Sequence, residues 1–469
     1  MPTLSHGRKL IYSLIALSSS FLALTTLRLV STQGSWRSLT PNLKLPHLPP
    51  QDPFHLLPDY DLTPLEEPSE CTKHFGRQYL SDFRESTTEY CESGSGSDLT
   101  CFHSQTDGRS TDSFCLGGPA KLDSLGQKFA LDCNLRDMTN KSVPQPQHLR
   151  SYWYETGPGV IFKQFVNTKG LEPIPKKPKN YTILIKREGE GNPWHCLMEI
   201  FSMSLTIDSL KIDDGRNKPF LTNEDAENTQ VVILDKRKDG PYFDLWSLFA
   251  KRPIVRLADI PQNSPPENII VPLAGASNPM WQGDWEIQPC QRSDLLQVFS
   301  NRVLNHYEVG TPKNKEIVVT FIDRKSRRLM HQESYLEALS NNISHIRVQS
   351  IDFEDISFKE QLEVARATDV LVGVHGAGLT HGIFLRKGSV MVEILPNKLN
   401  HKGFLNVAKL LGHTHFGVHA SGQKPPSRRV KRKDWHGEDI FLEEDRFLEL
   451  MDVAIKSLYA HAPHHYDIN

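Results

Sequence analysis

The chain has 469 residues, with 54 Lys and Arg against 56 Asp and Glu, a net charge of −2, and 38% hydrophobic residues. That length exceeds one ordinary core and predicts two or more domains. The balanced charge argues against a general nucleic-acid binder, which needs a surplus of cations on one face, and the apolar content excludes both a polytopic membrane protein and a wholly disordered chain.

Residues 10–30, LIYSLIALSSSFLALTTLRLV, follow Arg8 and Lys9 and contain an uncharged run of 18 residues from Leu10 to Leu27. That is about the length needed to cross a bilayer, and longer than the apolar region of most cleaved signals. An uncleaved anchor is expected, with residues 1–9 cytosolic and everything after Val30 in the lumen, because cations flank the cytosolic end of a span. Asn140, Asn180 and Asn342 each begin an Asn-x-Ser/Thr triplet, which fits a lumenal placement. Between Ser31 and Glu70 lie eight of the 31 prolines, a composition that predicts an extended stem.

Cys71, Cys91, Cys101, Cys115 and Cys133 fall in a stretch rich in Ser and Gly (71–150), which reads as an entry region stapled by local disulfides. A zinc site is the competing reading, although no Cys-x-x-Cys pair supports it. Cys196 and Cys290, in apolar surroundings, read as plain core residues. Seven is odd, so at least one thiol is free or pairs with another chain.

Beyond residue 150, short apolar runs alternate with helical stretches. Strands are predicted at 181–185, 231–234, 253–257, 269–273, 317–322, 346–351, 370–374 and 390–394, and helices at 194–210, 293–307, 332–341, 357–367, 403–411 and 441–459. Buried strands separated by amphipathic helices imply an α/β fold with parallel sheets covered on both faces, here two doubly wound lobes with a boundary near 295–315.

The most informative stretch is 368–396, TDVLVGVHGAGLTHGIFLRKGSVMVEILP. A strand ending at Val374 turns through His375-Gly376-Ala377-Gly378 into a helix predicted at Leu379 to Leu385, with His381 on its first turns. Glycines there admit backbone N–H groups close to a ligand, and a helix N-terminus favours an anion, so phosphate binding is the natural inference. The third glycine is displaced to Gly382, which departs from the dinucleotide fingerprint and disfavours a nicotinamide oxidoreductase. Glu393, at the next strand end, is placed to accept ribose hydroxyls. Upstream, Arg324 and Arg328 follow the strand at 317–322 and can grip a diphosphate. Earlier still, Asn192-Pro193-Trp194-His195 opens a helix, with Glu199 one turn on and able to orient His195 as a general base. The run 424–433 holds six cations, and Arg429-Val430-Lys431-Arg432 fits a dibasic processing site.

HGAGLTH followed by the GSVMVE strand, with Arg324-Lys325-Ser326-Arg327-Arg328 about 50 residues earlier and Asn192 to His195 well before that, resembles the inverting glycosyltransferases of family 61. The likeness runs discontinuously from Gly191 to Leu458 and includes 231–249 and the Gly275 to Cys290 stretch with Trp281, Asp284 and Trp285. It implies a GT-B arrangement, with an acceptor-side lobe (151–300) and a nucleotide-sugar lobe (301–469) facing a cleft. It further implies a UDP-sugar donor, a glycoprotein or glycan acceptor, transfer of N-acetylglucosamine or xylose with inversion, and residence in the Golgi or endoplasmic reticulum membrane. Carried over by position, Arg324, Arg328, His375, Gly376, Ala377, Gly378, His381 and Glu393 are donor-site candidates. His195, Glu199 and Asp235 are the catalytic candidates, and Asn192, Trp281 and Asp284 lie on the acceptor side. A catalytically inactive binding protein with the same fold is the alternative. No metal is expected, because the only Asp-x-Asp triplet, Asp59-Tyr60-Asp61, sits in the Pro-rich stem and leaves arginines to neutralise the diphosphate.

Overall fold

The eight predicted strands are all present, each within two residues of its expected ends. The structure is a computed structural model that describes residues 58–60, 67–105, 111–123, 125, 127–138, 143–169, 178–213, 218–421, 439–459 and 465–468. The anchor at 10–30, nearly all of the stem, the Asn140 triplet and the basic run at 424–433 lie outside these residues. Among the described residues no helix is long and apolar enough to cross a membrane.

Described residues form fifteen strands: β1 (Thr87–Glu89), β2 (Asp98–Gln105), β3 (Thr111–Leu122), β4 (Phe129–Leu131), β5 (Val166–Asn167), β6 (Tyr181–Ile185), β7 (Thr229–Ile233), β8 (Arg252–Arg256), β9 (Glu267–Val271), β10 (Ile317–Asp323), β11 (Ile346–Asp352), β12 (Val370–Val374), β13 (Val390–Leu395), β14 (Thr414–His419) and β15 (His465–Ile468). The α-helices are α1 (Ser69–Phe75), α2 (Gln78–Glu85), α3 (Pro158–Phe165), α4 (Pro193–Lys211), α5 (Asn223–Glu227), α6 (Pro279–Gln282), α7 (Asp294–His306), α8 (Gln332–Asn342), α9 (Phe358–Ala367), α10 (Gly403–Leu410) and α11 (Glu444–Ser457).

The first sheet runs β1-β2-β3-β9-β6-β7-β8, and its β9-β6-β7-β8 part is parallel. The second runs β11-β10-β12-β13-β14-β15 and is parallel throughout. The architecture is therefore α/β. In each parallel region strand order reverses once, between β6 and β9 in the first sheet and between β10 and β12 in the second. Loops leaving the carboxyl ends of such neighbours diverge and open a crevice.

Helix α4 lies in the core that serves both sheets and is apolar almost all round, with Leu197, Met198, Ile200, Phe201, Met203 and Leu205 buried. Its buried polar groups reach the loop after β9. Thr206 Oγ1 accepts the Leu273 N–H at 3.0 Å, and Asn278 Nδ2 donates to the Met198 carbonyl at 3.2 Å. The same core takes in α7, α9, α10 and the 3-10 helix at Ala377–Phe384, so the switch points are fixed against one packed interior.

Three features differ from expectation. The Cys-rich region is not a separate entry segment in architecture, because β3 pairs antiparallel with β9 and extends the first sheet. Cys91–Cys133 and Cys101–Cys115 are local disulfides as expected, but Cys71 pairs with Cys290, which is therefore no plain core residue; buried Cys196 is the free thiol. Finally, the helix expected at 379–385 is a 3-10 helix over Ala377–Phe384. Glycines weaken an α-helix there, and the His381 ring takes the Gly378 carbonyl, the acceptor that an α-helical Gly382 N–H would use.

Asp59 and Tyr60 of the Asp-x-Asp triplet have a structural role. Tyr60 donates to Asp208 at 2.7 Å, and Arg302 bridges Asp59 and Asp208 at 2.8 Å each, tying this segment to α4 and α7.

Candidate functional site

At the β6/β9 switch point the chain leaves β6 through Arg187 and Glu188 and enters α4. Asn192 caps that helix, its side-chain oxygen accepting from the Trp194 and His195 N–H groups at 3.0 and 3.3 Å. Asn192 thus sets the start of the helix that carries His195 through its side-chain oxygen. The His195 Nδ1 meets Glu188 Oε2 at 3.1 Å, and the other Glu188 oxygen accepts from Thr156 Oγ1 at 3.3 Å. The partner of His195 is therefore Glu188, not Glu199. Side chains of a helix lean towards its N-terminus, and on the buried face that carries Glu199 back under the turn, where it accepts the Glu188 N–H at 2.9 Å. Burial first, then the nearby Glu188 charge, push the Glu199 carboxyl well above the usual range.

Asp235 is also occupied. Arg187 grips it through Nη2 at 2.8 Å, Nε at 3.2 Å and its backbone N–H at 2.9 Å, while the same guanidinium donates to the Arg237, Lys238 and Asp239 carbonyls. Burial alone would raise this carboxyl, but the Arg187 hydrogen bonds and charge outweigh it and hold it low. The pair fixes the loop after β7, and Asp235 takes no part with His195.

Aromatic rings surround His195. Trp281 stands edge-on at 4.7 Å between centroids, and Tyr154, nearly half exposed, at 5.0 Å. Ring contacts continue from Trp281 to Trp194 at 6.3 Å, to Phe404 at 5.7 Å and to His375 at 5.5 Å. This band joins the first switch point to the second.

At the β10/β12 switch point Arg324 reaches across the glycine turn and donates to the His375 carbonyl at 3.1 Å. A Cβ on Gly376, whose φ is +154°, would lie 2.0 Å from the Arg324 Nη1, so only glycine lets the guanidinium approach. Burial, then the Arg327 charge, lower the Arg324 pKa to about 10, which still leaves it cationic at neutral pH. Ala377 and Gly378 continue the turn. Arg328 does not share this position: it is half exposed and paired with Glu333 at 2.7 Å and Asp323 at 3.5 Å, the chain having reversed at Arg327, whose φ is 55°.

Glu393 lies inside β13, opposite Gly373 of β12, rather than at the strand end expected of it, and is buried. His375 Nδ1 lies 2.5 Å from one oxygen and His415 Nε2 3.1 Å from the other. Burial alone would raise its carboxyl, yet these bonds outweigh it and hold it at about 2. Both oxygens are thus engaged by imidazoles, which departs from the expected ribose contact. His381 is enclosed as well, with its ring between the Gly378 carbonyl and Gln361 Oε1 at 2.8 Å each and its pKa lowered to about 4 by burial. It shapes the turn from inside the core.

Asp284 accepts from His401 Nε2 at 3.2 Å, and the Gly403 N–H donates to His401 Nδ1 at 3.2 Å, so His401 carries its proton on Nε2 and is neutral. His401 meets His375 edge-on at 4.9 Å and exposed Trp285 edge-on at 5.1 Å. The site therefore gathers His195, Trp281, Arg324, His375 to Gly378, Glu393 and, through His401, Asp284. Sequence reasoning missed Glu188, His401 and His415. Only Glu188 left a usable signal, as a carboxylate in the loop at the carboxyl end of a strand, seven residues before His195.

Residues 194–392 match the family model described as Glycosyltransferase 61, and the family resemblance is borne out over that stretch. The chain is 27% identical over 270 residues to the EGF domain-specific O-linked N-acetylglucosamine transferase of Drosophila melanogaster, covering 56% of this chain and 47% of that protein. It is 33% identical over 242 residues to the Canis lupus familiaris protein of the same name, covering 49% and 43%. It is also 23% identical over 188 residues, 37% of this chain and 32% of that one, to Protein O-linked-mannose beta-1,4-N-acetylglucosaminyltransferase 2 of the same species. The chain thus spans less than half the length of the curated relatives it matches.

Proposed function

We propose that this chain, with its glycosyltransferase 61 stretch, is an inverting glycosyltransferase. It moves a sugar, N-acetylglucosamine first and xylose next, from a UDP-sugar to a protein Ser/Thr hydroxyl or a glycan. That its relatives are N-acetylglucosamine transferases by name supports the sugar. The observation that carries the reaction is a histidine–carboxylate pair at one switch point, joined by packed rings to an arginine-crossed glycine turn at the other.

The chemistry follows from tautomers and charges. With Nδ1–H given to Glu188, neutral His195 keeps its lone pair on Nε2, the form a general base needs. His195 Nε2 takes the acceptor hydroxyl proton as that oxygen bonds to the anomeric carbon. The bond from that carbon to the β-phosphate oxygen breaks on the opposite face, and its electron pair leaves with UDP. Arg324 and the N–H groups of the 376–378 turn stabilise the departing charge without a metal. Tyr154 and Trp281, beside His195, form the acceptor wall, and burying aromatic surface there favours a sugar or peptide face over water.

On this reading the lobes at 151–300 and 301–469 form a GT-B pair. Segment 10–30 anchors the chain as a type II protein of the Golgi or endoplasmic reticulum membrane, with the enzyme in the lumen and the stem between. The test is to incubate purified full-length protein with a panel of UDP-sugars and acceptor glycoproteins, with and without EDTA, and to measure UDP release and product anomer. Acceptor-stimulated, EDTA-insensitive release with inversion is expected. Absence of release from every UDP-sugar would overturn the proposal, and binding without turnover would make the chain an inactive relative.

A further inference from the structure

His415 is buried on β14 and spends Nε2 on Glu393, while its Nδ1 has no hydrogen-bond partner among the described residues. A buried ring nitrogen without a partner costs stability that a leucine at the same place would not incur. The imidazole therefore has to supply something an apolar side chain does not, and its polar contact among the described residues is Nε2 to Glu393. From Glu393 the contacts run on to His375 Nδ1, and the His375 carbonyl then accepts from Arg324. Four residues, His415 in β14, Glu393 in β13, and His375 and Arg324 just after β12 and β10, thus connect a buried imidazole to the guanidinium at the crevice.

We propose that His415 is a positioning residue for the transfer reaction: by holding the second oxygen of Glu393 it fixes that carboxylate on His375 Nδ1 and so sets the glycine turn against Arg324. Because Glu393 accepts on both sides, His415 must carry its proton on Nε2 and His375 must present Nδ1–H. Without the His415 N–H, one buried oxygen of Glu393 loses its donor, the carboxyl takes up a proton more readily, and the hold on His375 weakens. Among the described residues, the other charged or titratable groups facing this assembly are Arg324 from the loop after β10, and His401 with Asp284 beside the His375 ring. This inference rests on the functional reading above.

The test compares His415→Leu, which fills the space without a donor, with His415→Gln, whose Nε2 amide replaces the lost N–H. Both are made in the full chain and normalised to folded protein by near-UV dichroism. His415→Leu is expected to lower kcat 10- to 100-fold, on the order seen when the group that orients an active residue is lost, with a smaller change in the KM for the acceptor. Its activity at pH 5 relative to pH 7 should fall further than the wild type's, and His415→Gln should restore most of both. Unchanged kcat and pH profile in folded His415→Leu would overturn the proposal, as would a loss that His415→Gln fails to recover while remaining folded. Wild-type protein that releases no UDP defeats the functional reading instead, so the two failures are told apart by the first control.

Discussion

Both switch points hold a histidine bonded through Nδ1 to a glutamate, but the two pairs are buried to different extents. His195 keeps 21% of its side chain exposed beside Tyr154, and the second oxygen of Glu188 is held only by a neutral hydroxyl. His375 keeps 7%, and the second oxygen of Glu393 is held by another imidazole. The first arrangement leaves one ring nitrogen able to exchange a proton with an incoming hydroxyl. The second fixes a turn. On the proposed function, the same residue pair serves proton transfer at one sheet and positioning at the other, and access to solvent separates the two.

The contrast breaks if the exposed pair proves dispensable. His195→Ala should lose about 10²–10⁴-fold in kcat while UDP affinity stays near wild type by calorimetry. Arg324→Ala should cost about 10²–10³-fold in kcat and, unlike His195→Ala, weaken UDP binding as well. Glu188→Gln keeps the shape but removes the anion that orients His195, and a smaller loss of about 10- to 100-fold is expected. Equal UDP affinities in the His195 and Arg324 variants would erase the division between the two crevices.

Stability sharpens the same comparison. The Glu393 carboxyl is depressed from its ordinary 4.5 to about 2, so its contribution is fully present above pH 4.5 and is lost as pH falls towards 2. Thermal unfolding between pH 5 and pH 3 should therefore be steeper in the wild type than in Glu393→Gln. At the surface, Asn342 is exposed at the end of α8, whereas Asn180 is half-buried with its amide turned to Glu267. In protein from secretory cells, Asn342→Gln should remove a glycan-dependent gel shift with no change in kcat, and Asn180→Gln should shift the band less.

The parallel strands were legible because each is a short apolar run whose neighbours in the sheet are equally apolar, as with Val372 beside Val392. β14 was not, since its THFGVH sequence buries polar residues that read as loop until their partners are known. Likewise His375, Gly376 and Arg324 announced themselves through turn chemistry and charge, while the pairing of Glu188 with His195 depended on which way a helical side chain leans. Glu199 and Asp235 looked catalytic by spacing and type, but a backbone N–H and a guanidinium had already taken them. Spacing along a chain identifies neighbours on one element and is silent on competitors from another.

The Cys71–Cys290 bond closes a covalent ring with a sequence separation of 219, and the whole first sheet lies inside it. A single proteolytic cut anywhere between these cysteines leaves the two pieces tethered until the bond is reduced. The second sheet lies outside the ring, as does the cationic run at 424–433. A cut after Arg432 would sever its C-terminal piece from the covalent framework at once, so whether one nick falls between Cys71 and Cys290 decides whether a reductant is needed to see it on a gel.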